Sequence, residues 1–378
     1  MGSEMCIRDS FGGFGGFGGF GGSGGCNDAD MDGYGTCEGD CDDSNPLVNP
    51  GAYDFPGGGN EDCAGPPDDE VTACGVGLTY TSQDPVHYAQ AIDICQQTTL
   101  MATGVNKIWG LIDAQFLLAN GTSTPSPQSH AIVTSFGSVL GPRQGNNFVF
   151  LSSGLAGAPG QPYFQAGTPQ GGTGFGNSVP APPGFPTNKQ GCPLPFGNLA
   201  NDSVNLHLVI RTPTNASSLA FDHGFFSAEY PEYACSTFND LWVTLLTSGA
   251  GGIPNNKNVV FDNQGTPGSV NVNFFDRCLA GATGCFGTPG FNFCAGGTGE
   301  LQATGYGAMD PGNPCGAPTT IGGGTGWLTT QAPIIPGEVI TVEFMIWDSS
   351  DGIFDSSAML DHFRWQKAAL GQPNTFRP

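Results

Sequence analysis

Residues 219–246 read LAFDHGFFSAEYPEYACSTFNDLWVTLL, and this stretch decides the fold. Two runs rich in aromatic and aliphatic residues flank a turn, and such runs are typical of strands buried in a core. The residue before a proline is restricted to extended backbone, so Tyr230-Pro231 predicts where the first strand leaves the core. The turn carries Glu229, Asn239 and Asp240. Buried strands beside a carboxylate-bearing turn favour a binding or cohesion module.

The composition favours a loop-rich protein and excludes several partner classes. The 378 residues include 62 Gly and 30 Pro, about a quarter of the chain, which is typical of abundant loops. Charged residues make up only 11%, and the formal net charge is -23 at pH 7. Such a charge repels nucleic acid and anionic lipid and favours divalent cations as partners. No stretch reaches the roughly 20 apolar residues of a membrane span.

The cysteines indicate disulfide bonds formed in an oxidising compartment, and therefore a secreted protein or one on the bacterial cell surface. Residues 5–10, MCIRDS, resemble translated sequencing adapter, so Cys6 is set aside and a signal peptide is expected to be missing from this sequence. A genuine short leader is the alternative. The remaining cysteines can all pair; they are Cys26, Cys37, Cys41, Cys63, Cys74, Cys95, Cys192, Cys235, Cys278, Cys285, Cys294 and Cys315.

Composition shifts divide the chain into five segments. The first is an adapter-like start with a Phe-Gly-Gly linker, where glycine favours a flexible chain. An Asp-rich, disulfide-held module, a Pro-rich acidic hinge, the main β domain and a tail follow. Their predicted bounds are 1–25, 26–65, 66–73, 74–367 and 368–378.

Aspartates in the second segment are spaced for cation binding. Asp28, Asp30 and Asp32 alternate and precede Gly33, as at the start of an EF-hand loop. An EF-hand is excluded, because Gly39 stands where the bidentate Glu belongs and no helices flank the loop. Cys37 and Cys41 are expected to hold the loop. The predicted metal ligands are Asp28, Asp30, Asp32, Asp40, Asp42 and Asp43.

Repulsion between these acids supports a bound cation. Residues 26–70 contain thirteen acidic residues and no Lys or Arg. Two carboxylates about 4 Å apart repel by about 1 kcal/mol even in water. Hard oxygen ligands favour calcium, with copper or zinc less suited. A solvated acidic linker is the alternative.

The sequence DADMDGYGTCEGDCDDSNPLVNPGA resembles the metal-binding repeat of MopE-type bacterial surface proteins, over about residues 26–65. The resemblance implies a metal site in this segment, and the name of the family is linked with copper. GGGNEDCAG, residues 57–65, departs from the acidic closing segment of that repeat, which argues against a second site near Asn60–Cys63.

Local patterns predict one helix and several strands. Asp84 as N-cap and Pro85 at the first helical position predict a helix to about Thr98, whose buried face presents Cys95 to Cys74. His207 is expected to face solvent and His223 to be a packing or surface residue. Residues 154–198 read as a long loop anchored at Cys192, with a catalytic lid as the alternative, and residues 278–315 as an insert ordered by disulfides. Strands are predicted at 107–119, 147–151, 204–210, 258–262, 269–275, 340–346 and 359–365.

The segments FFSAEYPEYACSTFND, GTGWLTTQAPIIPGE and IWDSSDGIFDSSAMLDHFRW together resemble the choice-of-anchor L domain, a module of bacterial surface and secreted proteins. The resemblance spans about residues 74–366 and implies a β-sandwich and a surface address, but no reaction. With the strand pattern, the predicted fold class is mostly β: an antiparallel, jelly-roll-like β-sandwich with one short helix, preceded by the Asp-rich module. The tail shows no apolar anchor, which favours release or attachment through another component.

Two functions from different classes follow. The favoured one is a secreted or cell-surface, calcium-stabilised structural or adhesion protein without catalytic activity, whose wider partners are extracellular glycans or surface proteins. The alternative is a calcium-dependent carbohydrate-binding module, in which Trp327, Tyr230, Tyr233 and Trp347 stack on sugars. No His-Glu-x-x-His, Cys-x-x-Cys or phosphate-loop motif supports an enzyme. Paired carboxylates, as in a glycosidase, stay open because their separation depends on the fold.

A second metal site is a further hypothesis. It requires the loop after residue 228 and the loop DSSDGIFDSS to meet at one end of the sandwich. The competing interpretation is that these acids are ordinary turn and capping residues. The candidate ligands are Glu229, Asn239, Asp240, Asp348, Asp351 and Asp355.

Overall fold

The computed structural model describes residues 27–70, 73–164, 174–309, 315 and 320–378. The Phe-Gly-Gly segment, Cys6 and Cys26 lie outside them. The described residues contain one α-helix and three 3-10 turns, Thr36–Glu38, Gly104–Asn106 and Gly299–Leu301. The helix and strands are α1 (Pro85–Ala91), β1 (Gly110–Leu117), β2 (His130–Val133), β3 (Phe148–Ser152), β4 (Ser178–Pro180), β5 (Leu199–Arg211), β6 (Ser218–Ser227), β7 (Leu241–Thr247), β8 (Gly281–Thr283), β9 (Gly290–Asn292), β10 (Ala308–Met309), β11 (Thr320–Ile321), β12 (Gly323–Gly324), β13 (Leu328–Pro333), β14 (Val339–Ser349), β15 (Ser356–Gln366) and β16 (Asn374–Phe376).

Two antiparallel sheets form the core. The five-stranded sheet has the order β1-β5-β14-β7 with β4 beside β5, and the seven-stranded sheet has the order β16-β13-β6-β15-β3-β2 with β12 beside β6. The ring of Phe344 on β14 lies 5.2 Å from that of Phe221 on β6. Trp242 Nε1 on β7 donates to His223 Nδ1 on β6 at 3.2 Å. These contacts join the sheets face to face, so the predicted antiparallel sandwich is confirmed.

From β5 to β7 and from β13 to β15, consecutive strands alternate between the two sheets. The connections β6 to β7 and β14 to β15 each cross from one sheet to the other. Ser227 at the end of β6 pairs with Ser356 at the start of β15, and Trp347 near the end of β14 pairs with Leu241 at the start of β7. The two crossing loops, residues 228–240 and 350–355, therefore lie side by side at one end of the sandwich.

The helix is shorter than predicted. Asp84 caps it as expected, because its Oδ1 accepts from Val86 N at 3.0 Å. The helix ends at Ala91 rather than near Thr98, since Asp93 takes a left-handed φ of 76° that turns the chain away. Cys95 thus lies beyond the helix and not on its buried face. The predicted bridge from Cys95 to Cys74 is nevertheless present.

The strands predicted at 258–262 and 269–275 are wrong. Among the described residues these segments make only isolated bridges, such as Leu245 with Asn258. Polar side chains take the place of a ladder: Asn258 Oδ1 accepts from Thr244 N and Val260 N, and Asp262 Oδ1 accepts from Gln264 N and Thr266 N. Side-chain bonds of this kind compete with sheet formation. The other predicted strands are confirmed, with small shifts in their ends.

Disulfides order the loop-rich parts. The bridges are Cys41–Cys63, Cys74–Cys95, Cys192–Cys235, Cys278–Cys294 and Cys285–Cys315, and Cys37 is also disulfide-bonded. The anchored loop and the bridged insert are therefore confirmed. No helix among the described residues combines the length and apolar character that a membrane crossing demands.

The two singled-out histidines are packing residues. His207 Nδ1 lies 3.3 Å from Glu343 Oε1, and its side chain is 22% exposed, so it faces solvent only in part. Glu343 is the register partner of His207 on the neighbouring strand β14. His223 is buried between Trp242 and Thr330. Of the two expected alternatives, a packing or a surface residue, it is the packing residue.

Candidate metal centres

The Asp-rich segment is folded by hydrogen bonds from its backbone to its own carboxylates. Asp28 Oδ1 accepts from Met31 N at 2.7 Å, and its Oδ2 accepts from Gly33 N at 3.2 Å. Asp43 Oδ1 accepts from Ala29 N at 2.8 Å, which ties the end of the segment to its start. Asp40 Oδ1 accepts from Asp42 N at 2.9 Å. The Asp40–Asp42 bond has the spacing of an Asx turn, and the four bonds together wrap the chain around the carboxylates.

Five of the six predicted ligands converge. Asp28, Asp30 and Asp32 form one group, and Asp30, Asp40 and Asp43 form a second, with ligand atoms within 4.8 Å of one another in each. Asp30 belongs to both groups, so the two share one site region, which we call the Asp30 site. The sixth residue, Asp42, is in neither group, and its Oδ1 accepts from Ser44 Oγ at 2.7 Å.

Two oxygens at the Asp30 site lack a partner. Asp40 is 6% exposed, and its Oδ2 is buried without a hydrogen bond from any described residue. Asp30 Oδ2 is buried and unbonded in the same way. Since buried polar atoms are almost always bonded, these two oxygens are available to a water molecule or an ion. Carboxylate oxygens are the donors that calcium prefers.

Charge accumulates at this site without compensation. No salt bridge among the described residues joins the six aspartates to Lys, Arg or His. Burial raises the pKa of Asp40, and the charges of Asp30 and Asp43 raise it further. Burial also raises the pKa of Asp32. Both shifts mean that the folded chain disfavours the charged form, which a cation would reverse.

The Asp30 site is attached to the sandwich through Asn49. Its Nδ2 donates to Asp32 Oδ2 at 2.8 Å, while its Oδ1 accepts from Thr214 Oγ1 at 2.8 Å. The neighbouring Tyr53 N donates to Asn215 Oδ1 at 2.9 Å. Thr214 and Asn215 lie in the connection after β5, so these hydrogen bonds link the Asp30 site to the main domain.

A third acidic group was not expected from the sequence. Asp54, Asp62 and Asp69 converge within 4.8 Å, although the departure of residues 57–65 from the repeat argued against a site there. Asp54 differs from Asp40, since both its oxygens accept backbone N–H groups, from Glu61 at 2.8 Å and Asp69 at 3.2 Å. The adjacent Glu61 pairs with Lys367. This group resembles a satisfied turn more than a metal site.

The crossing loops bring a second set of predicted residues together. Glu229, Asp240, Asp348 and Asp355 are each at most 3% exposed. Asp240 Oδ1 accepts from Ser349 N at 3.0 Å, and its Oδ2 accepts from Ser356 Oγ at 2.8 Å. We call these four carboxyl groups the acidic end. Among the described residues, the groups of three or more candidate ligands that converge within 4.8 Å include none of these four.

Burial dominates the electrostatics of the acidic end. It raises the pKa of Asp240 to about 8, and the charge of Asp351 adds to the shift. It raises the pKa of Asp348 well above the usual range, with the charges of Asp240 and Asp355 acting in the same direction. Burial also raises the pKa of Glu229 well above its usual range, and the charge of Asp240 raises it further.

The remaining candidates at this end behave differently. Asn239 turns away, since its Oδ1 accepts from Asn271 Nδ2 at 2.9 Å and its Nδ2 donates to Thr187 O. Asp351 is half-buried, and its pKa is raised by burial. Sequence reasoning missed Asp202, which is 3% exposed and acts on Asp348 through its charge. Nothing in its local sequence marked it, because it approaches only through the pairing of β5 with β14.

The aromatic candidates for sugar stacking do not form an exposed platform. Trp347 and Tyr230 are buried in the fold. Trp327 and Tyr233 are half-buried, and Tyr233 packs against Phe238 and Phe286. Sugar stacking needs an accessible ring face, so two of the four candidates are removed.

Part of the chain matches a known protein family. No curated protein and no solved structure matches the chain. The matched segment begins later than the resemblance over 74–366 suggested, and it does not reach the Asp-rich module. It contains β6, β7, β13, β14 and both crossing loops, hence all four residues of the acidic end. Residues 210–363 match the choice-of-anchor L domain, a surface-associated and non-catalytic module.

Proposed function

We propose that this chain is a secreted or cell-surface structural or adhesion protein that calcium stabilises at the Asp30 site. The choice-of-anchor match and the disulfides support the surface address. The observation that carries the metal proposal is the pair of buried, unbonded oxygens, Asp30 Oδ2 and Asp40 Oδ2. The likeness of residues 26–65 to the MopE-type repeat supports it from sequence alone.

Calcium suits the site better than copper. The converging donors are carboxylates, with no His or Cys among them. Hard oxygen donors in a flexible loop favour Ca²⁺, and extracellular calcium modules commonly bind with Kd values of about 10⁻⁴–10⁻³ M. Binding of that strength stabilises a folded protein by mass action without requiring a rigid cage.

Calorimetric titration of the full chain tests the proposal. Asp40→Asn and Asp30→Asn each remove one unbonded oxygen, so each should weaken Ca²⁺ binding at this site by at least about tenfold, or about 1.4 kcal/mol. Asp42→Asn is the matched control, because it removes a neighbouring charge outside the converging groups. Equal affinities in all three variants and the wild type would refute the Asp30 site, and tighter binding of Cu²⁺ than Ca²⁺ would refute the choice of metal.

A further inference from the structure

We propose that the acidic end holds a second divalent, oxygen-seeking cation between Asp240 and Asp348, with Glu229 close by. This site lies in the main domain, and it neither depends on the Asp30 site nor shares a residue with it. The crossing loops would then be fastened to each other by the ion.

The first observation is burial without a counter-charge. Asp240 and Asp348 are at most 1% exposed, and Glu229 is 2% exposed. No salt bridge among the described residues involves any of the three. Burying charged carboxylates costs free energy unless an opposite charge or a proton neutralises them.

The second observation is independent of charge. Both carboxylate oxygens of Asp348 are buried and receive no hydrogen bond of normal geometry from any described residue, and the same holds for Glu229 Oε2. The nearby hydroxyl of Ser153 lowers the pKa of Asp348, but it donates to Ser356 O at 3.3 Å and accepts from Ser356 N at 2.9 Å. A structural turn aspartate would instead accept backbone N–H groups, as Asp262 does.

The fold explains why these groups meet. Asp240 directly precedes Leu241, which pairs with Trp347, the residue before Asp348. Asp240 is fixed from the other side by Ser349 N and Ser356 Oγ. Ser349 Oγ is also buried without a bond among the described residues. Two carboxylates with hydroxyl oxygens around them are a donor set for Ca²⁺ or Mg²⁺ and not for a thiolate- or imidazole-seeking metal.

A competing occupant is a proton. Burial raises the pKa of Asp240 and Asp348, so protonation alone would also remove the charge. The two alternatives differ in their dependence on calcium. If a cation occupies the site, calcium should raise the melting temperature, and the rise should disappear when Asp348 is replaced. If protons occupy it, the melting temperature should be the same in calcium and in EDTA.

The test uses the full chain in a background that lacks the Asp30 site. Asp30→Asn and Asp40→Asn are combined, and the protein is unfolded with its disulfides intact and refolded in Ca²⁺ or in EDTA, so that a buried ion can enter. We expect one Ca²⁺ per chain to remain after desalting, by elemental analysis, and a melting temperature several degrees higher in Ca²⁺ than in EDTA.

Variants in this background separate metal binding from folding. Asp348→Asn should abolish the calcium shift while raising the melting temperature in EDTA, because it removes an uncompensated buried charge. Asp262→Asn is the matched control: it disrupts a buried, fully bonded aspartate, so it should lower the melting temperature in both conditions and keep the shift. Absence of bound calcium in the background protein, or a shift that survives Asp348→Asn, would overturn the proposal. Either result leaves the Asp30 site untouched, since that site is assayed by its own variants.

Discussion

At the scale of single residues, the alternating aspartates 28, 30 and 32 were readable from the sequence, because an Asx turn is a local structure. The distinction between Asp40 and Asp42 was not. Cys41 lies between the two aspartates and is bonded to Cys63, 22 positions away, and a local pattern does not encode contacts over that distance. In the same way, Asn239 sits beside Asp240 in sequence yet bonds to Asn271, because neighbouring residues point in different directions.

Phe344 tests the packing of the two sheets. It is fully buried on β14 and contacts Phe221 of the opposite sheet, with Trp242 stacked 6.3 Å away. Phe344→Ala should lower the free energy of unfolding by about 3–5 kcal/mol, through lost burial and the cavity left behind. Denaturant unfolding measures this. A loss below about 1 kcal/mol would mean that the sheets do not pack through this residue.

At the scale of elements, periodicity identified β5, β14 and β15 because alternating apolar residues mark a buried face. It could not show that β14 and β15 lie in opposite sheets, since both faces of the sandwich have the same pattern. The crossing loops meet only if β14 and β15 lie in opposite sheets. The sequence therefore predicted the second metal site only on the condition that the two loops meet. At residues 258–262 the sequence predicted a strand that is not formed. The side chains of Asn258 and Asp262 accept hydrogen bonds from nearby backbone N–H groups, which are then not available to a sheet.

The Asn49 junction predicts coupling between the Asp-rich module and the sandwich. Asn49→Ala removes bonds to both Asp32 and Thr214, and should lower the free energy of unfolding by about 1–3 kcal/mol. It should also reduce the rise in melting temperature that calcium gives to the main domain. Thr214→Val is the control that removes only the bond on the sandwich side. If Asn49→Ala leaves the calcium-induced rise unchanged, the module and the sandwich are not coupled through this residue.

At the scale of the whole molecule, the net charge of -23 predicted cation dependence but not its location. The fold distributes the acids unevenly. Asp222 pairs with Arg143, Arg364 and His362, whereas no salt bridge among the described residues involves the aspartates of the Asp30 site or Glu229, Asp240 and Asp348. Long-range pairing of strands decides where these few basic side chains lie, and single-sequence patterns do not encode that pairing.

The buried carboxyl groups predict an unusual pH dependence. Burial raises the pKa of Asp240 and of Asp93 to about 8 in the folded state, while the pKa of an aspartate in the unfolded chain is about 3.9. Between those values the unfolded state releases protons that the folded state retains, so in EDTA stability should fall as pH rises from about 4 to about 8. Calcium should reduce this fall, because it replaces protons at Asp240 and Asp348.

Thermal denaturation at pH 5 and pH 8, with and without calcium, checks the sign. The lowest melting temperature is expected at pH 8 in EDTA. A chain that melts higher at pH 8 than at pH 5 in EDTA would contradict the assignment of raised pKa values to these groups.

The proposed calcium ion lies between the two unbonded oxygens, Asp30 Oδ2 and Asp40 Oδ2. Anomalous diffraction from crystals of the full chain grown in calcium would locate such an ion. We expect an anomalous peak within about 2.3–2.6 Å of both oxygens. Well-ordered density for Asp30 and Asp40 with no anomalous peak, and with water bonded to both oxygens, would contradict it.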